Sequence, residues 1–329
     1  MKITKNKTIL KITIIFNVCG IIFLFLFYGP YNKIRDLWIT SAMTTFSHKY
    51  LAYVFFDEET INNTMNNNRI IENTDTTDLN AINQNEFIYT SKYDKEVLRK
   101  DKNNPYYKII DINGNGYVGY LAVIYHPEKL IVGTANHAGA NGTFITKIAK
   151  SYNALLAING GGFAGDVKTR RPAGDVITQG KWVYRSDRKS LSYIGITEDN
   201  KLFLTKNKDL LIKNNVRDAV TFGPFLIVNG KPSIVKGNGG WGISSRTAIG
   251  QRKDGIILLL AIDGRQTRSV GASLKDVSDI MLKYGAYNAA NLDGGGSTSL
   301  YANGGLINKP SGGTKTGERN IPNAWVLLK

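Results

Sequence analysis

The chain has 329 residues and a mass of 36.4 kDa, with 42% apolar and 21% charged side chains, which excludes wholesale disorder and leaves room for one large domain or two modest ones. Its single cysteine, Cys19, excludes a disulfide framework or a cysteine-based zinc site within one chain. With 42 Lys and Arg against 26 Asp and Glu the formal charge is +16, but the cations are scattered, the densest group being Arg170-Arg171, so no nucleic-acid partner is expected.

In chain order, residues 1–11 read as a basic cytoplasmic tail carrying Lys2, Lys5, Lys7 and Lys11. Ile12–Tyr28 is an apolar run broken only by Asn17, just long enough to cross a hydrocarbon core, and the lysines behind it put the remainder outside the cytoplasm. A cleaved signal peptide is the competing reading, but the flank Gly29-Pro30-Tyr31-Asn32-Lys33 has no small-residue cleavage pattern. Residues 29–56 read as juxtamembrane, with apolar points at Trp38, Phe46, Tyr50, Phe55 and Phe56. From 57 to 104 the composition turns polar, with 11 Asn in 48 residues, and predicts a flexible stalk.

Residues 105–329 carry the folded domain, expected to be α+β, a mixed and largely antiparallel sheet with a few helices. Tyr117–Tyr125 is a strong strand, and Leu191–Leu204 reads as two strands joined at Glu198-Asp199-Asn200. Ala219–Val235 predicts a hairpin turning at Asn229-Gly230, Thr247–Asp263 a second hairpin ending in the buried run Ile256–Ile262, and Trp325–Leu328 a last strand. Two helices stand out, Phe144–Tyr152 and Leu274–Tyr284, the second opened by a Ser273/Asp276 capping box. Each leads into a short apolar strand, a polar residue and three glycines: Asn159 before Gly160, Gly161 and Gly162, then Asp293 before Gly294, Gly295 and Gly296. Paired loops of this kind set a polar side chain at a sheet edge beside bare backbone, a concavity suited to anions. Two tight turns would explain either loop alone.

A third segment supplies charge. Arg246 and Arg265 can hold a phosphate or carboxylate in a planar fork, and Asp263, at the end of its strand, can reach the same rim as Asp293. The plainer alternatives are surface ion pairs for the arginines and a turn-capping carboxylate for Asp263.

The strings AINGGGF (157–163), TFGPFLIVNGK (221–231), SRTAIGQRKDG (245–255), LAIDGRQ (260–266), ANLDGGGSTSL (290–300) and RNIPNAW (319–325) resemble, in order over about Lys108–Lys329, the phosphodiester glycosidase family. That family takes in N-acetylglucosamine-1-phosphodiester alpha-N-acetylglucosaminidase-like proteins and bacterial exopolysaccharide biosynthesis-type proteins. The resemblance implies hydrolysis of a sugar-1-phosphodiester to a free sugar and a phosphomonoester, on a mixed α/β domain. Phosphate is a good leaving group, so the reaction needs the anion held and oxocarbenium-like charge stabilised more than it needs an acid. On that chemistry Asp293 is the expected nucleophile or base, Asp263 its partner carboxylate, and Asn159 the positioner of sugar or water. Arg246, Arg265, Ser297 and both glycine triplets are expected to hold the anion, and Arg319 and Asn323 to complete the pocket. No cofactor is expected; a hard cation such as Ca2+ or Mg2+ on the aspartates is the alternative, while His48, His126 and His137 stand isolated. The expected partners are an anionic or phosphodiester-linked glycan and, through the N-terminal helix, a membrane. Rival classes are a non-catalytic surface module that binds anionic glycopolymers and an envelope-type structural protein.

Overall fold

The computed structural model describes residues 2–45, 48–73, 75–83, 91–135, 142–166 and 169–329. Two compact units divide the chain: Met1–Arg69 with Lys236–Gly242, and Ile70–Val235 with Ile243–Lys329.

In the first unit the apolar run lies within a helix, Lys2–Tyr28, whose stretch from Lys7 onward is long and apolar enough to cross a membrane. Asn32–Met43, Tyr50–Tyr53 and Glu58–Asn67 follow as helices, the last capped by Asp57, which accepts from Thr60 N at 2.7 Å. Apolar points expected to be merely intermittent converge here. Ile39, Ala42, Ala52, Phe56 and Ile61 are buried with Phe27, whose ring stacks on Phe56 at 5.7 Å. Phe46 lies outside the described residues.

The second unit has the expected α+β architecture, and every strand pairing among its described residues is antiparallel. A seven-stranded sheet runs, in spatial order, Lys231–Pro232, Phe225–Val228, Ala286–Leu292, Arg246–Arg252, Ile257–Ile262, Tyr117–Ile124 and Tyr107–Gly114. One five-stranded sheet runs Gly305–Leu306, Leu300–Ala302, Leu156–Asn159, Asn323–Leu327 and Leu130–Thr134. The other runs Leu202–Thr205, Tyr193–Thr197, Val216–Thr221, Val176–Thr178 and Lys181–Tyr184. All three feed one core: Leu259 and Ala290 from the first, Ile158 and Trp325 from the second, Ile194 and Val220 from the third. Each large apolar side chain so buried contributes roughly 1.5–3 kcal/mol.

The predicted helices form as Ile145–Ser151 and Leu274–Lys283, the second with its capping box: Asp276 N donates to Ser273 Oγ at 3.2 Å and Ser273 N to Asp276 Oδ2 at 2.9 Å. The hairpin expected over 219–235 is only half formed. Phe225–Val228 does turn at Asn229-Gly230 into Lys231–Pro232, but the stretch before it belongs to Val216–Thr221 in a different sheet.

The flexible stalk expected over 57–104, with its boundary at 105, differs most from the structure. Glu58–Asn67 is helical, and from Ile70 the chain already belongs to the second unit. Ile70–Ile71 pairs with Ile234–Val235, Thr77 N donates to Leu204 O at 3.2 Å, and Asp78 N donates to Asn229 Oδ1 at 2.8 Å. Further on, Lys92–Leu98 is a helix with a Ser91/Asp94 capping box. Buried Asp94 accepts from Arg252 Nη1 at 2.7 Å, and Arg252 is also forked by Asp254. Polar composition misled here because the described residues of the segment are held by hydrogen bonds, one buried ion cluster and a few widely spaced apolar anchors, Ile61, Ile82 and Val97, which leave no apolar period to read.

Candidate active site

The two glycine triplets end strands of different sheets, and the fold brings them together. Asp293 N donates to Gly160 O at 3.2 Å, while Asn159 Nδ2 donates to the Asp293 carbonyl. Asn159 Oδ1 accepts from Thr247 Oγ1 at 3.0 Å and from Ser299 N at 3.1 Å, and the residue is 1% exposed. Its amide is therefore committed to the protein. Asn159 fastens Asp293 in place and is not left free to position a sugar or water.

Nor does the first triplet offer its amides to an anion. Gly160 N donates to Asn323 O at 3.1 Å, Gly161 N to Asn323 Oδ1 at 2.8 Å and Gly162 N to Thr221 O at 3.1 Å. Glycine is required at 160 by packing, since a Cβ there would sit 2.3 Å from Asn323 Oδ1. In the second triplet Gly295 N is spent on Ser245 O at 2.8 Å, and Gly296 lies under the Arg319 guanidinium, whose Nη2 is 2.5 Å from where a Cβ would begin. Gly160 and Gly296 thus let Asn323 and Arg319 approach, and the Gly294 amide faces the Asp293 carboxyl.

Asp293 is the singular group. It is half-buried, its Oδ2 is closed to solvent and makes no hydrogen bond, and burial pushes its carboxyl up to about 6 against the pull of Ser297, Arg319, the Gly294 amide and Arg170. Two arginines, Arg319 and Arg170, act on it directly. The charge of Arg319 and partial burial lower the affinity of both Arg170 and Arg265 for their protons, and Arg265 does the same to buried Arg246, which burial pushes down to about 10. Arg170, Arg319, Arg265 and Arg246 therefore form a chain of mutually repelling cations, with Asp293 set beside Arg319 and Arg170, while Asp166 offsets Arg170 and Asp276 offsets Arg246 at the two ends. Arg170 Nε, Arg319 Nε, Asn323 Nδ2 and Ser244 Oγ are buried without hydrogen-bond partners. Such a set of idle donors in like-charged company suits a bound anion. Arg265 also holds φ at 59°; the other non-glycine residues at positive φ among those described are Asn or Gln.

Asp263 is placed differently from its expected role. Its carboxylate pairs with Arg268 and accepts from Asn308 Nδ2 at 2.9 Å and Lys309 N at 3.0 Å. Asn308 in turn donates to Thr298 O at 3.2 Å. Asp263 thus braces the segment behind the 294–298 loop, the turn-capping alternative, with no oxygen left for chemistry.

Arg170 and Ser244 were not among the expected site residues. Arg170 showed itself only as half of the densest basic pair, and Ser244 carried no signal. Among the described residues no three His, Cys, Asp or Glu side chains gather as metal ligands. His126 pairs with Glu128 at 2.8 Å, and His137 lies outside the described residues.

Residues 152–328 match the phosphodiester glycosidase family, and the chain belongs to it. It is 30% identical over 202 residues to the prophage-derived protein YomE of Bacillus subtilis, covering 57% of this chain and 31% of that protein. Over 185 residues it is 30% identical to the N-acetylglucosamine-1-phosphodiester alpha-N-acetylglucosaminidase of Bos taurus, covering 51% of this chain and 34% of that one. The chain thus spans about a third of the length of these curated relatives. In structure it is similar to the catalytic domain of the zebrafish N-acetylglucosamine-1-phosphodiester alpha-N-acetylglucosaminidase, auto-inhibited by its pro-peptide. The TM-score is 0.58 at 25% identity, covering 70% of this chain and 86% of that domain.

Proposed function

We propose that the chain hydrolyses a sugar-1-phosphodiester outside the cytoplasm, releasing the sugar and leaving a phosphomonoester, with an envelope or exopolysaccharide-type glycan as the substrate class. One observation carries this reading: Asp293, a half-buried carboxylate whose Oδ2 is closed to solvent and uncommitted, stands beside Arg319 and Arg170. A site that only held anions gains nothing from a carboxylate at its centre, which repels the ligand.

In this reading Arg319, Arg265 and Arg170 take the phosphodiester oxygens, and Arg246 adds positive potential from behind Arg265. As the C1–O bond breaks, its electron pair leaves on the phosphate oxygen, where the arginines meet the growing charge. Ionised Asp293 acts on the anomeric carbon, either directly as nucleophile or by taking the proton of an attacking water whose hydroxyl joins C1. A second carboxylate as acid is dispensable because phosphate leaves unprotonated, which accords with the commitment of Asp263 elsewhere. Names of the relatives point to N-acetylglucosamine-1-phosphodiesters as the first compounds to try. The helix Lys2–Tyr28, with lysines at its start, supports a membrane-anchored protein with the catalytic unit outside.

The test is release of reducing sugar from such diesters. Turnover is expected to rise with pH through an apparent pKa at or above about 6, because a bound anion disfavours a second negative charge. Asp293→Asn should lower it by on the order of a thousandfold, about 4 kcal/mol of barrier. Unchanged turnover in Asp293→Asn, or a flat profile between pH 4.5 and 7.5, would refute the assignment.

A further inference from the structure

Away from this site, two adjoining hollows of about 620 and 500 Å3 share Arg99 and Lys108 in their walls and form one elongated groove. Lys92, Lys95, Arg99, Lys100 and Lys102 line it, all exposed and none in an ion pair among the described residues. Against them stand Glu96 and Asp101, while nearby Asp94 is consumed by Arg252. Five cations along one groove, paired with no carboxylate among the described residues and facing only two acids, create a strip of positive potential.

We propose that this groove is a second binding site, for an anionic glycan polymer whose charges are phosphodiesters. The rings in and beside it argue against a nucleic acid. Lys92 Nζ covers the Tyr93 ring at 5.1 Å and Lys283 Nζ at 4.3 Å, and Lys100 Nζ covers the Tyr125 ring at 5.1 Å. Occupied rings are not free for the base stacking by which single-stranded nucleic acid is held. Beside the cations, Asn104 Oδ1 accepts from Tyr106 N and Tyr107 N, and Asn303 Oδ1 from the Tyr107 hydroxyl. Both amide Nδ2 groups are then turned to donor duty, which suits phosphate and sugar oxygens. Lys108 Nζ is spent on the Glu96 and Arg99 carbonyls at 2.7 and 3.2 Å, fixing the floor between the two hollows. The phosphodiester chemistry of the ligand rests on the proposed function, whereas the groove itself shares no residue with that site.

Binding of poly(glycerol phosphate) to the full chain in detergent, followed by calorimetry across a salt series, tests it. Lys95→Gln/Arg99→Gln/Lys102→Gln should weaken binding at least tenfold and flatten the salt dependence. Lys150→Gln/Lys213→Gln/Lys231→Gln, which removes the same charge from exposed positions outside the groove, should change affinity less than twofold. The charge-keeping Lys95→Arg/Arg99→Lys/Lys102→Arg should bind as the native chain does, which separates lost charge from lost folding. Equal losses in both glutamine triples would overturn the proposal, as would no binding by the native chain. Tighter groove-dependent binding of phosphatidylglycerol vesicles or of a single-stranded oligonucleotide would overturn it in favour of that partner.

Discussion

Replacing Asp293 with Asn should make the protein more stable while it removes the activity. The carboxyl stands at about 6 in the fold against 3.8 for the free group. A raised carboxyl means that the fold favours the protonated form, so the ionised form subtracts from stability once pH exceeds the unfolded value. That penalty is absent below about pH 4, grows through the window between 3.8 and 6, and is complete above it. Its full size is about 3 kcal/mol at 1.36 kcal/mol per unit, and asparagine, isosteric with the neutral acid, escapes it. At pH 7.5 Asp293→Asn should therefore unfold at roughly 6–12 °C higher, taking 2–4 °C per kcal/mol for a unit of this size. At pH 4.5 the gap should shrink to about 1 kcal/mol. Paired thermal melts at the two pH values, read with turnover on the same preparations, measure both effects. A gap that does not narrow on acidification, or an Asn variant less stable than the native chain at pH 7.5, would show that the surrounding arginines already compensate the charge and that the site holds no such strain.

Asp263→Asn should behave in the opposite way. It leaves Arg268 and the Lys309 amide without their charged acceptor and should cost about 1–3 kcal/mol, seen in denaturant titrations, while turnover per folded molecule stays within a few-fold. Loss of turnover without loss of stability would restore Asp263 to the chemistry. Asp94→Ala removes one of the two carboxylates on buried Arg252, which keeps Asp254, and should destabilise the catalytic unit by about 1–3 kcal/mol. A loss below 1 kcal/mol in the same titration would mean that residues 91–98 are only loosely attached.

What the sequence disclosed depended on the physics behind each feature. The strand at 117–124 and the helix at 274–283 were readable because apolar period and capping chemistry are local. The meeting of the two glycine triplets was foreshadowed by their repetition, since strand ends at matching places tend to gather at one edge of a fold. The division of labour among their neighbours was not readable. Asn159, Asp263 and Asp293 are all small polar residues at strand ends, and only their partners distinguish a fastener, a brace and an idle carboxylate. Those partners, Thr247, Ser299, Asn308 and Lys309, come from distant stretches and carry no motif. Arg170 escaped for the same reason, because a cation is recognised as part of a site only by the company it keeps. Low apolar content over 57–104 suggests freedom, yet the Asp94–Arg252 pair and scattered anchors such as Val97 tie the segment down without any repeating pattern.

The tie between Asp94 and Arg252 joins residues 158 positions apart, and the Ile70–Ile71 pairing spans a similar length of chain. During synthesis the segment 70–98 leaves the ribosome before any of the strands that receive it. Its contacts can close in turn as their partners emerge: Thr77 on Leu204, Asp78 on Asn229, Ile70–Ile71 on Ile234–Val235 and, last of these, Asp94 on Arg252. Contacts of such long range are slow to close, so a late step in folding of the catalytic unit should be the return of that unit's own earliest-made piece.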